Sequence, residues 1–119
     1  MPAASSALIS LIDPATGRQR HWWLGDGGVP QRLAGLLGAP LRATGLPPRR
    51  FPEFSAVFAP LPRLTAGAAG PAAQQAVYRY LIQTHAAGAT LSCWRRYPGG
   101  IGWLRRCGPV ALGPFVSRF

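Results

Sequence analysis

The sequence predicts a small single α+β domain over residues 1–119, in the order ββ–α–irregular–α–ββ(β), with antiparallel hairpins at both ends and two helices between them. Three observations lead there. Strand-forming residues gather near both ends and are divided by Gly and Pro turn signals. Two apolar stripes with helical spacing lie between those ends. A length of 119 residues with 48% hydrophobic content suits one domain around one core.

Residues Ala7 to Leu24 read as the first hairpin. Ala-Leu-Ile-Ser-Leu-Ile is β-compatible. In Asp13-Pro14-Ala15-Thr16-Gly17, Asp suits the first turn position, Pro presets φ for the next, and Gly accepts a left-handed bulge. The return strand puts Arg18, Arg20, Trp22 and Leu24 on one face and Gln19, His21 and Trp23 on the other. Asp26-Gly27-Gly28 then breaks the chain. Pro30 to Leu37 reads as a short helix, with Pro30 in its first turn, Gly38 at the C′ position and Pro40 beyond. Val29, Leu33, Leu36 and Leu37 form its buried stripe.

The segment 39–70 reads as irregular, with prolines at 40, 47, 48, 52, 60 and 62. Phe51, Phe54, Val57 and Phe58 imply packing against the body, with a short strand over Phe54–Phe58. Ala66 to Ala73 reads as a flexible connector. Pro71 to Ala86 reads as the second helix, with Val77, Tyr78, Leu81, Ile82 and His85 on one face and Gln75, Arg79 and Gln83 on the other. Thr90–Tyr97 and Ile101–Arg106 read as strands around Pro98-Gly99-Gly100, and Val110–Phe119 as an added strand.

Charge is the most informative feature. The 13 basic residues are all Arg, against three acids, giving a net charge of +10. The absence of Lys and Asn is what a GC-rich, bacterial gene produces. Chemically, Arg is always charged, presents a planar fork to phosphate or carboxylate, and stacks on flat rings. Such an imbalance implies a polyanionic partner: nucleic acid, an acidic protein or an anionic membrane.

The stretch Cys93–Cys107 carries this chemistry. A two-residue loop at Gly99-Gly100 sets Arg96 opposite Trp103 and Trp94 opposite Arg105, all on one face. Arg95 then opposes Leu104, and Cys93 opposes Arg106. A shifted register pairs Cys93 with Cys107 instead. Arg interleaved with flat rings suits nucleic acid, because the guanidinium binds phosphate and the ring stacks on a base. The first hairpin has the same composition, and the predicted contact residues are Arg18, Arg20, Trp22, Trp94, Arg95, Arg96, Trp103, Arg105 and Arg106. The competing reading of each Trp is a core residue with Arg lying over its edge. Over these fifteen residues the hairpin is similar in composition to cationic β-hairpin antimicrobial peptides. That resemblance implies action on anionic membranes, although those peptides usually carry two disulfides.

Other chemistry has thin support. No pair of carboxylates is placed for general acid–base work, and the Gly99–Gly102 run lacks the Lys and Ser/Thr of a phosphate loop. The expectation is therefore not an enzyme. Cys93, Cys107, His21 and His85 do not have zinc-ligand spacing, so no metal or other cofactor is expected, and the cysteines are read as free thiols. Residues 1–12 lack the features of a signal peptide, and no run is long enough for a transmembrane helix, so the expected location is cytoplasmic. The function expected is a small basic nucleic-acid-binding accessory protein, with single strands or RNA favoured. The alternative is an interaction subunit docking on an acidic protein partner or within a larger assembly, motivated by the apolar, Pro-rich middle around Phe51, Phe54 and Phe58.

Overall fold

Alternation of side chains along six strands creates two unlike sheet faces, and the helices divide between them unequally. The computed structural model describes residues 6–99 and 101–119; the reading of residues 1–5 and the Gly100 half of the predicted loop lie outside them. The elements are β1 (Ala7–Asp13), β2 (Arg18–Leu24), α1 (Pro30–Thr44), α2 (Phe51–Val57), β3 (Arg63–Leu64), α3 (Ala66–Gln75), β4 (Tyr78–His85), β5 (Gly88–Arg96), β6 (Trp103–Ala111) and α4 (Leu112–Arg118). They form one mixed sheet in the order β3-β2-β1-β4-β5-β6, in which β1 and β4 are parallel and all other neighbours antiparallel. This is the α+β class the sequence predicts.

The first hairpin forms as predicted. Gly17 N–H donates to the Asp13 carbonyl at 2.8 Å, and Asp13 Oδ1 accepts from Ala15 N–H at 3.0 Å. The later hairpin also has the predicted pairs Trp94↔Arg105, Arg95↔Leu104 and Arg96↔Trp103. Further along the same strands Cys93 pairs with Cys107, because register irregularities lie on both sides of Cys93. Two registers that looked exclusive in the sequence therefore coexist, and Cys93 faces Cys107 rather than Arg106.

The middle of the chain departs from the sequence reading. The segment 39–70 is largely helical. Helix α1 runs past Gly38 and Pro40 to Thr44 and ends at Gly45, whose φ is +79°. Gly38 is a packing position instead of a stop: a Cβ there would lie 3.2 Å from Val116 Cγ1 of α4. Phe54–Phe58 belongs to a helix and its end, not a strand, since Phe51, Phe54 and Phe58 recur at helical spacing and all are buried. Glu53 Oε1 accepts from Arg50 N–H at 3.0 Å and starts that helix.

Ala66–Gln75 is helix α3, not a connector. Thr65 Oγ1 accepts from Ala68 N–H at 3.2 Å, and the alanine-rich run has high helix propensity. The predicted helix Pro71–Ala86 is consequently wrong in most of its length. Tyr78–His85 is β4, with Tyr80, Ile82 and Thr84 buried between more exposed neighbours. Its aromatic and β-branched residues satisfy a period of two, which outweighs the helical stripe. The predicted strand Val110–Phe119 ends at Ala111; beyond it α4 buries Leu112 and Phe115.

One face of the sheet holds the main core. Ala7, Ile9, Leu11, Trp22, Leu24, Tyr80, Ile82, Leu91 and Cys93 meet Leu33 and Leu37 of α1, Phe51 and Phe54 of α2, and Leu112 and Phe115 of α4. Tyr80 is tied in by its hydroxyl, which donates to the Gly28 carbonyl at 2.5 Å. Among the described residues the opposite face is covered only at one end, where α3 and its C-cap residue pack Ala69, Ala73 and Ala76 on Leu8, Trp23, Leu64 and Trp103. The described residues leave the rest of that face open, and the candidate site lies there.

Candidate functional site

Register carries side chains from five strands onto the open face. Ser10 and Ile12 come from β1, His21 from β2, Arg79 and Leu81 from β4, Trp94 from β5, and Trp103 and Arg105 from β6. These residues, Arg105 apart, line a groove of about 370 Å³. That lies near the lower end of the roughly 300–1,000 Å³ typical of small-ligand sites.

Cations and rings alternate around the groove. Arg105 lies over the Trp94 ring with its guanidinium carbon 5.5 Å from the centroid. Arg79 lies 5.5 Å and Arg96 4.4 Å from the centroid of Trp103. Each such contact is worth about 0.5–2 kcal/mol and holds the guanidinium in a defined place. None of Asp13, Asp26 and Glu53 lines the groove.

The floor is neutral. Register sets Ser10 opposite His21, and Ser10 Oγ hydrogen-bonds His21 Nδ1 at 2.8 Å. His21 is buried, and that desolvation lowers its pKa below 6.5. The unfolded chain therefore binds this proton more readily than the folded one. The contribution is fully present above about pH 6.5 and is lost as pH falls from there toward the lowered native pKa. Urea unfolding is expected to show a midpoint that drops between about pH 7 and pH 5, with much of that drop missing in His21→Gln.

The predicted contact residues separate into three groups. Trp94, Trp103 and Arg105 are brought together on the open face. Arg96 is there too, but it is committed to the fold. Its Nε donates to the Ala76 carbonyl at 2.9 Å, and its Nη2 to the carbonyls of Ala73 and Gln74 at 2.8 and 2.7 Å. It caps the C-terminus of α3, satisfying carbonyls that have no partner within the helix. Charge-assisted bonds contribute about 1.5–3 kcal/mol each, and these share one guanidinium, so Arg96→Ala is expected to cost about 2–3 kcal/mol. Thermal denaturation checks this. A variant of unchanged stability would remove the cap from the account.

The remaining predicted residues point the other way. Trp22 is in the main core, 1% exposed, against Phe58 at 5.0 Å between ring centroids, and is not a stacking surface. Arg18 and Arg20 share its face and lie over Phe51 at 4.3 and 5.7 Å. Arg95 lies over Tyr78 at 5.8 Å. Arg106, with Arg95 and Arg118, borders a cavity of about 180 Å³ beside Cys93 and Cys107. The hairpins join one sheet, but β1 and β4 separate β2 from β5, and Arg18, Arg20 and Trp22 face the side opposite Trp94, Trp103 and Arg105.

The sequence reading missed Arg79, which it placed on the outer side of a helix. The signal was present in the alternation of Arg79, Leu81 and Gln83 with Tyr80, Ile82 and Thr84. Cys93 and Cys107 are free thiols. Burial, with the neighbouring Cys107 next, pushes the Cys93 thiol up to about 12; burial raises Cys107 as well. Among the described residues no three His, Cys, Asp or Glu side chains gather at one place. No helix among them is long and apolar enough to cross a membrane. Comparison with protein-family models, curated proteins and solved structures finds no match.

Proposed function

We propose that the protein binds nucleic acid across the open sheet face, with Arg79 and Arg105 on phosphates and Trp94 as the stacking surface. One observation carries this reading: an acid-free groove on an uncovered sheet face, rimmed by Arg-flanked Trp side chains. A net charge of +10 supplies the general attraction, and these residues supply a place for it to act. Trp103 serves chiefly to position Arg79, since it also packs against α3. The alternative of protein docking loses its motive, because Phe51, Phe54 and Phe58 are core residues.

Face-selective substitution tests the reading. Arg79→Ala combined with Arg105→Ala is expected to weaken single-strand binding at least about tenfold and to make the salt slope shallower by about 1.4, that is 0.7 per lost phosphate contact. Arg18→Ala, on the opposite face, is expected to leave affinity nearly unchanged. Loss of binding in Arg18→Ala with none in the double variant would place the interface on the helix side.

A further inference from the structure

We infer that the floor of the open-face groove is a pocket for one unpaired nucleobase, so that the ligand is single-stranded nucleic acid held partly through a base. This rests on the proposed function and specifies its ligand.

The groove separates charge from neutral chemistry. Arg79 and Arg105 stand at the rim, where a sugar–phosphate backbone would run. Beneath them the floor consists of Ile12, Leu81, Ser10 and His21. A phosphate gains nothing from two aliphatic side chains, and from a neutral imidazole at most one uncharged hydrogen bond. A flat heterocycle gains from both, because its faces are apolar and its edge carries donors and acceptors.

His21 provides the second argument. It is only 8% exposed, yet it lines the groove. Its Nδ1 is engaged by Ser10 Oγ, while Nε2 has no partner among the described residues. A ring that buried, with one nitrogen left over, is suited to a ligand's donor or acceptor. If Ser10 donates to Nδ1, then Nε2 carries the proton and donates; in the other tautomer it accepts. Trp94 lies on the same lining and offers a ring face on which the base can stack.

A cationic rim above a flat, neutral pocket matches a nucleotide repeat, in which each ring is flanked by phosphates. In a duplex the base faces are stacked and the Watson–Crick edges paired, so a base cannot reach this floor without leaving the helix.

The test compares three labelled probes by fluorescence anisotropy with the full chain: a mixed-sequence single strand of about 12 nucleotides, an all-abasic strand of equal length, and the matching duplex. The base-bearing strand is expected to bind at least about tenfold more tightly than the abasic one, as one stacked base would supply. His21→Gln is expected to cut that ratio several-fold while leaving the salt slope unchanged, and Trp94→Leu to cut it several-fold as well. Circular dichroism shows whether each variant folds, and the probe comparison needs no variant at all. Equal affinity for base-bearing and abasic strands would overturn the pocket while leaving a cationic binding face in place. Tighter binding of the duplex would also overturn it. Failure to bind any of the three at low salt would remove the proposed function along with it.

Discussion

Trp22→Ala is expected to cost about 3–5 kcal/mol of stability, enough to unfold much of a domain this size at physiological temperature. The side chain is 1% exposed and packs on Phe58 within the main core. Its deletion leaves a cavity that the surrounding helices cannot close. Trp22→Phe separates ring packing from polarity. The indole N–H is buried with no hydrogen-bond partner among the described residues, and Phe removes that uncompensated donor. The Phe variant is therefore expected to lose less than half of what the Ala variant loses. Chemical denaturation of both variants checks this. Trp94→Ala, in the same type of strand position on the open face, is expected to change stability by about 1 kcal/mol or less. Two tryptophans of similar sequence context thus differ in role because helices cover the sheet over Trp22 and leave the part of the other face around Trp94 open among the described residues.

Gly108→Ala is the second large effect. Gly108 has φ +97°, a region that L side chains rarely adopt. A Cβ there would come within 2.5 Å of Ser92 Cα and closer still to the Leu91 carbonyl oxygen, both backbone atoms of the paired strand. Left-handed strain costs about 1–2 kcal/mol and overpacking about 1–3, so a loss of roughly 3 kcal/mol or more is expected. The effect reaches the candidate site. Gly108 lies beside the irregularity that shifts β6 between the Leu91↔Val110 pair and the Trp94↔Arg105 pair. Separating β5 from β6 there disturbs the placement of Arg105 over Trp94. Gly108→Ala is therefore expected to lose both stability and binding. Retention of the parent melting temperature would mean that the strands tolerate a side chain at their closest approach.

The ends of the chain were legible in the sequence because their signals are local. Asp13-Pro14 and Gly17 specify a turn wherever they occur between strands, and the β5–β6 loop signal was strong enough to give the correct register near Trp94. The middle was not legible, because two patterns competed. Val77–His85 satisfies a helical stripe as well as strand alternation, and pairing with β1 and β5 decides between them. Gly38 and Pro40 look like a helix end, but the close approach of α1 to α4 makes Gly38 a contact and the helix passes through Pro40.

The site was half legible for a related reason. Strand alternation shows which residues share a face, but which face is covered depends on helices elsewhere in the chain. Trp22 and Trp94 therefore could not be distinguished locally. The cap formed by Arg96 was equally hidden, since its partners in α3 lie some twenty residues earlier, in a segment that reads as a loop.

The most direct test of the central claim is the affinity of nuclease-treated protein for a labelled single strand across a salt series. Contacts from Arg79 and Arg105, at about 0.7 per phosphate, predict a slope of log K against log[salt] of about −1 to −2. A slope in that range, abolished or sharply reduced by the Arg79→Ala/Arg105→Ala pair, is the expected result. Affinity that is weak and independent of salt would contradict the account, because an arginine-rimmed face that engages phosphate must release counterions when it binds.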